Sequence, residues 1–370
     1  MALFFSALFL GLSVGNSLPQ TLELMSDGFG STLKGIGITI ILGAILAMGI
    51  QDTGAATAIV NGFIRVLKGK NLELAPSMTG FITSIPVFGD ITLILMAPIA
   101  SMLAKRKKLS MSLMASMTNM GQTLTHGLVP PTPGILAVAV MFSADLGLVM
   151  GYGILISLIA FIGTWLLIRH WAAKELIKPT EELAGQYDQA ADTDDMEQLL
   201  IREKNLPSGF VACLPLLIPI VLISLASFAN ASLTPDSFLF VLLVAVGNKI
   251  TALLAGVICV ALIAYRYRTQ VVQNAQANTG EAFTSVSTVI LGNWVERGLK
   301  IAMLPLLVTA MGGALSAIIR ANPAVTDLGQ MVVGLSFPMI LIPFLIAAVI
   351  TTAVGSMTTA GLTAAGICCQ

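Results

Sequence analysis

Apolar residues run along this chain in long, continuous stretches. They fall near positions 2–18, 35–51, 74–104, 109–144, 146–168, 209–229, 238–264, 301–319 and 337–369. A helix crosses the bilayer hydrocarbon with about 20 apolar residues, so most of these runs predict one crossing each. Barrel strands would instead show short segments of weak two-residue alternation. Several runs do not fit a simple crossing. The segment 74–104 is too long for one upright helix and too short for two, and Ser84-Ile-Pro-Val-Phe-Gly-Asp90 interrupts it. Proline removes a backbone donor there and glycine loosens the chain. Each arm is then about half a bilayer long, at roughly 1.5 Å per residue, which predicts a re-entrant hairpin with its tip near the midplane. The segment 109–144 is broken by Thr125-His-Gly-Leu-Val-Pro-Pro-Thr-Pro-Gly134. Unwound backbone at that depth is tolerated only when buried in protein or lining a wet cavity.

Composition narrows the class further. Of 370 residues, 56% are apolar and 10% charged, with mean hydropathy +0.91, against about 25% charged in soluble proteins. A soluble enzyme and a disordered chain are excluded, and zero net charge also argues against a nucleic-acid partner. The expected fold is an all-α polytopic membrane protein. Cys213, Cys259, Cys368 and Cys369 lie in apolar stretches without metal-ligand spacing and read as buried, inert thiols. Met1–Leu12 lacks a basic region and a small-residue cleavage site, so it reads as membrane helix rather than cleaved signal.

Charge placement orients the segments. Arg65, Lys68 and Lys70 precede the first hairpin and Lys105-Arg-Lys-Lys108 follow it. The positive-inside rule puts both flanks in the cytoplasm. Counting crossings from there places 16 of the 19 Lys and Arg residues on the cytoplasmic side. Lys34 and Arg320 lie outside; Lys249 is unplaced, either pairing with a solute carboxylate or snorkelling to the outer interface. The one long polar region, 170–208, is acidic but lacks the ligand spacing of a calcium loop and reads as a cytoplasmic linker. It divides the chain into an N-terminal membrane unit, 1–169, and a C-terminal unit, 209–370, with residues 270–300 along the cytoplasmic surface.

An offset of 269 positions lays Gly43-Ala-Ile-Leu46 on Gly312-Gly-Ala-Leu315 and the break Ser84–Asp90 on Ala353–Thr359. Residues 321–336, before the second break, contain no basic residue, so the second hairpin (about 337–370) is expected to enter from the opposite side. Two oppositely oriented units with paired broken segments describe an inverted-repeat secondary transporter with two re-entrant hairpins and discontinuous helices. Thr125-His126 has no counterpart in the second unit, and the chain starts inside an apolar run. A version shortened at both ends is therefore expected.

The breaks concentrate the polar chemistry. The segment 125–134 offers free carbonyls, free N–H groups and a half-helix N-terminus at Pro133–Leu136, which attracts anions. His126 is a titratable group within the membrane, where such residues carry function. Asp90 either caps the helix that begins at Ile91 or is a desolvated carboxylate that carries a coupling proton; one residue can serve both roles. Ser84, Ser356, Thr358 and Thr359 cluster at two breaks, where their hydroxyls suit a polyol. Asp52 reads as a helix-end residue near the cytoplasmic interface. The sequence shows no hydrolase triad, phosphate loop or zinc spacing, and no metal or cofactor is expected.

At these residues the chain resembles a known family. Thr-His-Gly-Leu-Val-Pro-Pro-Thr-Pro-Gly (125–134), after Ile-Pro-Val-Phe-Gly-Asp (85–90) and Asp-Thr-Gly (52–54), is similar to the gluconate permease family of the ion transporter superfamily. The likeness includes Gly355-Ser-Met-Thr-Thr-Ala-Gly361 and Thr363-Ala-Ala-Gly366, and departs from the family pattern at Gly89, Thr132 and Lys249. It implies proton symport of gluconate or a related sugar acid across the bacterial cytoplasmic (inner) membrane. It also implies movement of the hairpin-bearing part against a dimeric scaffold. Relatives in that family carry other hydroxy- or amino-acids such as D-serine. The expected partners are a small organic anion, protons, the lipid bilayer and a second copy of the chain. The expected solute site comprises Ser84, Thr125, His126, Gly127, Pro130, Pro131, Thr132, Gly134, Gly355, Ser356, Thr358 and Thr359, with Asp90 or His126 binding the proton. A sodium-coupled organic anion carrier shares the architecture, but the Ser-Asn-Thr hairpin signature of such carriers is absent from this sequence. An anion channel and a membrane-embedded enzyme, for which His126 with Asp90 is the one acid/base pair, are the remaining alternatives.

Overall fold

The computed structural model describes residues 2–87, 89–172, 176–179, 206–321, 341–354 and 357–368, with Asp90, Ile91, Ile94, Pro133, Ala353, Val354 and Thr359 described by backbone alone. Among the described residues the chain is helical, with no strand. The helices are α1 (Ala2–Ser13), α2 (Leu18–Asp52), α3 (Ala55–Val66), α4 (Leu74–Thr83), α5 (Gly89–Lys107), α6 (Met111–Leu128), α7 (Pro133–Met141) and α8 (Leu146–Ala172). After the linker come α9 (Gly209–Ser232), α10 (Phe238–Val246), α11 (Lys249–Arg266), α12 (Arg268–Thr279), α13 (Val286–Arg320), α14 (Leu341–Val354) and α15 (Met357–Cys368). Helices α2, α8, α9, α11 and α13 are long and apolar enough to cross a membrane. Outward-facing Leu148, Ile159, Leu167 and Phe228 give α8 and α9 the apolar exterior that lipid requires.

Helix α2 is longer than its apolar run. The polar stretch before residue 35 is helical because Thr21, Met25 and Gly28 recur on one buried face, while Glu23, Asp27 and Lys34 stay exposed. Ser17 and Gln20 start it with reciprocal backbone and side-chain bonds. The run 238–264 is likewise not one helix. It breaks at Gly247-Asn248, where the Asn248 side chain accepts from the Ile250 N–H at 3.0 Å and caps α11. A Cβ on Gly247 would stand 2.2 Å from the Leu222 carbonyl oxygen of α9; only glycine permits that approach.

The centre of the molecule is the antiparallel pair α2 and α13. Gly28 packs on Gly313 and Ala314 at one end, and Gly298 packs on Ile45 at the other. The 269-residue offset, with the helices exchanged, carries Gly28–Ala314 onto Ile45–Arg297, one residue from the observed Gly298 contact. The pair is thus related by the pseudo-two-fold expected of an inverted repeat. Helix boundaries agree: the same offset lays α14 on residues 72–85, spanning α4, and starts α15 at the position before Gly89 of α5.

Each repeat therefore contributes a helical hairpin, α4–α5 and α14–α15. Helix α4 has 10 residues, about 15 Å of rise and half of a crossing. The first hairpin is held against α6. Ser77 Oγ donates to the Met117 carbonyl at 2.6 Å and Thr125 Oγ1 to the Phe81 carbonyl at 2.8 Å. The linker expected over 170–208 lies largely outside the described residues. Its described part meets the start of α6, where the Met111 N–H donates to the Ile177 carbonyl at 2.7 Å.

Candidate solute-binding site

Three helices begin at one place. The start of α5 puts Gly89 against His126, with the position of a Gly89 Cβ 3.4 Å from the ring Cγ. The start of α7 puts Gly134 against Thr358, with its Cβ position 3.0 Å from Oγ1. The start of α15 puts Met357 against Gly127, 3.4 Å from that Cβ position. Proline and glycine cause these starts. Pro133 is pre-set for the first turn of α7, Thr132 occupies its N-cap, and Pro130–Pro131 cannot continue α6. Three N-terminal turns aim backbone N–H groups and positive dipole ends at the junction.

A cavity of about 210 Å³ opens at this junction. His126 and Gly127 of α6, Gly134 and Val138 of α7, and Met357 and Thr358 of α15 line it. The other walls are apolar, with Ile135, Phe142 and Pro343 beside the small residues Ala347, Gly361 and Ala364. On the other face of the break a water-sized space of about 10 Å³ lies between Thr39 and Gly43 of α2, Pro86 and Val87 of the first hairpin, and Pro131 and Thr132.

Of the expected site residues, the structure brings His126, Gly127, Gly134 and Thr358 together around one cavity. Pro131 and Thr132 face the smaller space instead, with Thr132 Oγ1 donating to the Val129 carbonyl at 2.8 Å. Pro130 is buried beside them. Thr125 does not line the cavity: its hydroxyl is committed to Phe81 and ties α6 to the first hairpin. Ser84 is fully buried, and its Oγ has no hydrogen-bond partner among the described residues. Gly355 and Ser356 lie outside the described residues, as do the side chains of Asp90 and Thr359; Asp90 falls in the first turn of α5.

Two positions absent from the expected set belong to the neighbourhood. Thr39 is 3% exposed with an unpartnered Oγ1, whereas Thr53, Thr79, Thr83 and Thr118 all donate to carbonyls of their own helix. A Cβ on Gly43 would stand 2.8 Å from the Pro86 carbonyl oxygen, so α2 receives the hairpin tip there. The Gly43-Ala-Ile-Leu46 repeat match was the one sequence signal for this contact.

Asp52, read from sequence as a helix-end residue, is the last residue of α2 but is wholly buried. Its carboxylate accepts from Arg297 Nη1 at 2.8 Å, Trp294 Nε1 at 2.9 Å and Asn278 Nδ2 at 2.9 Å. A π-helical turn at Val289–Asn293 immediately precedes Trp294. Lys249 is likewise placed: its Nζ donates to the Gly35 carbonyl at 2.6 Å.

Comparison with known proteins agrees with this architecture. A YdaH transporter from Alcanivorax borkumensis, described as having an unusual topology, superposes with a TM-score of 0.53 at 14% identity, over 94% of this chain and 72% of that one. This is a likeness of fold. In sequence the chain is 32% identical to an uncharacterized permease of Haemophilus influenzae, over 99% of this chain and 72% of the relative. It is 28% identical to a gluconate permease of Pseudomonas aeruginosa (99% and 76%) and 26% identical to the D-serine transporter DsdX of Escherichia coli (99% and 76%). The family model for GntP family permeases matches residues 1–370. The chain therefore belongs to the GntP permease family, multi-pass membrane transporters rather than enzymes.

Proposed function

We propose that this permease imports gluconate or a related sugar acid by proton symport across the bacterial inner membrane, working as a homodimer. The observation that carries the reading is the convergence of the α5, α7 and α15 N-termini around His126. A carboxylate placed there takes N–H bonds from helix starts without needing a buried cation. The hydroxyls of Ser84, Ser356, Thr358 and Thr359 read the polyol, and the glycines at 127, 134 and 355 let backbone approach it. Thr125, with Pro130, Pro131 and Thr132, holds the break in shape. His126 or Asp90 takes the proton, so that loading solute and proton together neutralises the site before the hairpins move.

The relatives named as gluconate permease, L-idonate transporter and D-serine transporter define the panel for the test. Purified protein in vesicles is given labelled gluconate, idonate or D-serine under separately imposed proton and sodium gradients. Saturable accumulation of a sugar acid driven by the proton gradient, and collapsed by a protonophore, is expected. Accumulation that follows sodium, or that occurs with D-serine alone, overturns the reading.

A further inference from the structure

The threonines of α2 do not all behave alike. Thr21 and Thr32 donate their hydroxyls to the carbonyls four residues back, at 3.0 and 2.9 Å, and Thr53 beyond the helix end does the same at 2.7 Å. That is the ordinary resting bond of a hydroxyl in a helix. Thr39 departs from it. Its Oγ1 is buried and has no hydrogen-bond partner among the described residues. The carbonyl four residues back, that of Gly35, carries the Lys249 ammonium instead, at 2.6 Å.

Thr39 borders the water-sized space of about 10 Å³ that Gly43, Pro86, Pro131 and Thr132 also line. The polar groups around this space are acceptors. The Pro86 carbonyl oxygen comes within 2.8 Å of a Cβ position on Gly43, one turn of α2 beyond Thr39. Thr132 spends its own proton on the Val129 carbonyl at 2.8 Å, which leaves its lone pairs. Pro86 and Pro131 have no N–H to offer.

A guest that fits must be small, donate to those acceptors and accept from Thr39. Roughly 10 Å³ is about the least that holds one water molecule, which needs two to four polar partners. A metal cation suits the space less well. No carboxylate among the described residues lines it, and the Lys249 ammonium sits on the carbonyl one turn from Thr39, where a second positive charge is repelled. Left without any guest, the buried Thr39 hydroxyl would keep its full desolvation cost.

We propose that one water molecule binds between Thr39, Pro86 and Thr132, and that Lys249 keeps Thr39 available to it by occupying the Gly35 carbonyl. The water joins α2 to the tip of the first hairpin and to the break at 125–134, a bridge nearly as good as a direct bond. Thr39 and Lys249 are thereby positioning residues that do not touch the solute. The water site stands on these contacts alone; its effect on uptake rests on the transport reading.

The test uses Thr39→Val, which keeps the shape and removes the hydroxyl, with Thr39→Ser, Lys249→Met and the Thr39→Val/Lys249→Met double variant of the full chain. Melting is followed in detergent, in sodium chloride and in choline chloride. Thr39→Val is expected to melt about 2 °C lower, Thr39→Ser to match the parent, and the two salts to give the same result. In Lys249→Met the Thr39 hydroxyl is free to turn back to Gly35, so adding Thr39→Val should cost less than half as much. Unchanged or raised melting of Thr39→Val overturns the water site, because removing an unpartnered buried hydroxyl relieves the fold. Stabilisation by sodium that disappears in Thr39→Val replaces the water with a cation and overturns the proposal too. Equal losses in both backgrounds remove Lys249 from it. Gluconate uptake by vesicles tests the positioning role: Thr39→Val should lower the maximal rate about fivefold with KM little changed, and Thr39→Ser should restore it. A raised KM at full maximal rate would make Thr39 a solute contact and overturn that role. If the parent protein takes up no gluconate, the transport reading fails while the melting result still decides the water site.

Discussion

Gly134 and Thr358 meet where two helices begin, with no room for a side chain between them: a Cβ on Gly134 would stand 3.0 Å from Thr358 Oγ1 and 3.2 Å from its Cα. The neighbour on one side is backbone, which yields less readily than a flexible side-chain tip. Gly134→Ala should push α7 off α15 by a few tenths of an ångström and spoil a site that depends on that spacing. Solute uptake is expected to fall at least tenfold in Gly134→Ala and to vanish in Gly134→Val, with thermal unfolding in detergent little changed. Wild-type uptake by Gly134→Ala would remove this contact from the working site.

Ser84 separates a structural role from a binding role. Its hydroxyl is buried and unpartnered among the described residues, so removing it costs the fold little and can stabilise it. Ser84→Ala is expected to keep its melting temperature, or raise it, while the apparent affinity for the transported solute weakens by about 1 kcal/mol, roughly fivefold. Unaltered affinity would show that the hydroxyl does not meet the solute.

Asp52 and Arg297 behave oppositely. The carboxylate is fully buried and the arginine side chain 15% exposed, so removing one member strands its partner. Asp52→Ala is expected to cost about 3–5 kcal/mol, seen as a lowered melting temperature and a smaller folded fraction after extraction. Pairing it with Arg297→Leu should recover part of that loss. A double variant whose loss equals the sum of the two single losses would show the pair to be uncoupled.

Gly121 tests how the first hairpin is held. A Cβ there would stand 2.2 Å from the Ser77 carbonyl oxygen, and the neighbouring Ser77–Met117 bond fixes the same crossing. Gly121→Ala should separate α4 from α6 at a cost of about 1–3 kcal/mol and reduce the yield of folded protein. A normal yield and melting temperature would mean that α4 shifts freely on α6.

The proposed proton coupling has two candidate side chains, Asp90 and His126. Asp90→Asn is expected to lose pH-driven accumulation while keeping part of solute exchange, because exchange needs no net proton movement. His126→Asn tests the other candidate by the same pair of measurements. Full concentrative uptake by Asp90→Asn takes that residue out of the coupling role.

Much of the architecture was legible from residues alone, since lipid imposes a simple rule: backbone must be satisfied internally, so apolar length reports crossings and Pro or Gly within them reports breaks. The interruptions at 84–90 and 125–134 fall between helices where the sequence puts them, and one helix ends at Val354 and the next begins at Met357. Helix ends were harder. The start of α2 at Leu18 and the break at Gly247 depend on which face of a helix meets a neighbour, which local hydropathy does not encode.

What the sequence by itself determined was the inventory: an all-helical membrane chain, two offset copies of one unit, and helix breaks carrying His126 and small residues. Tertiary structure decided which breaks meet. Packing of Gly28 on Gly313, of Gly43 on the hairpin tip and of Gly134 on Thr358 brought separate interruptions together at one junction. It also committed Thr125 to the scaffold and buried Asp52 in an ion pair. The physical reason is that a polar group's role in lipid depends on its partner, and partners far apart in the chain are chosen only when helices approach to within a side chain's reach.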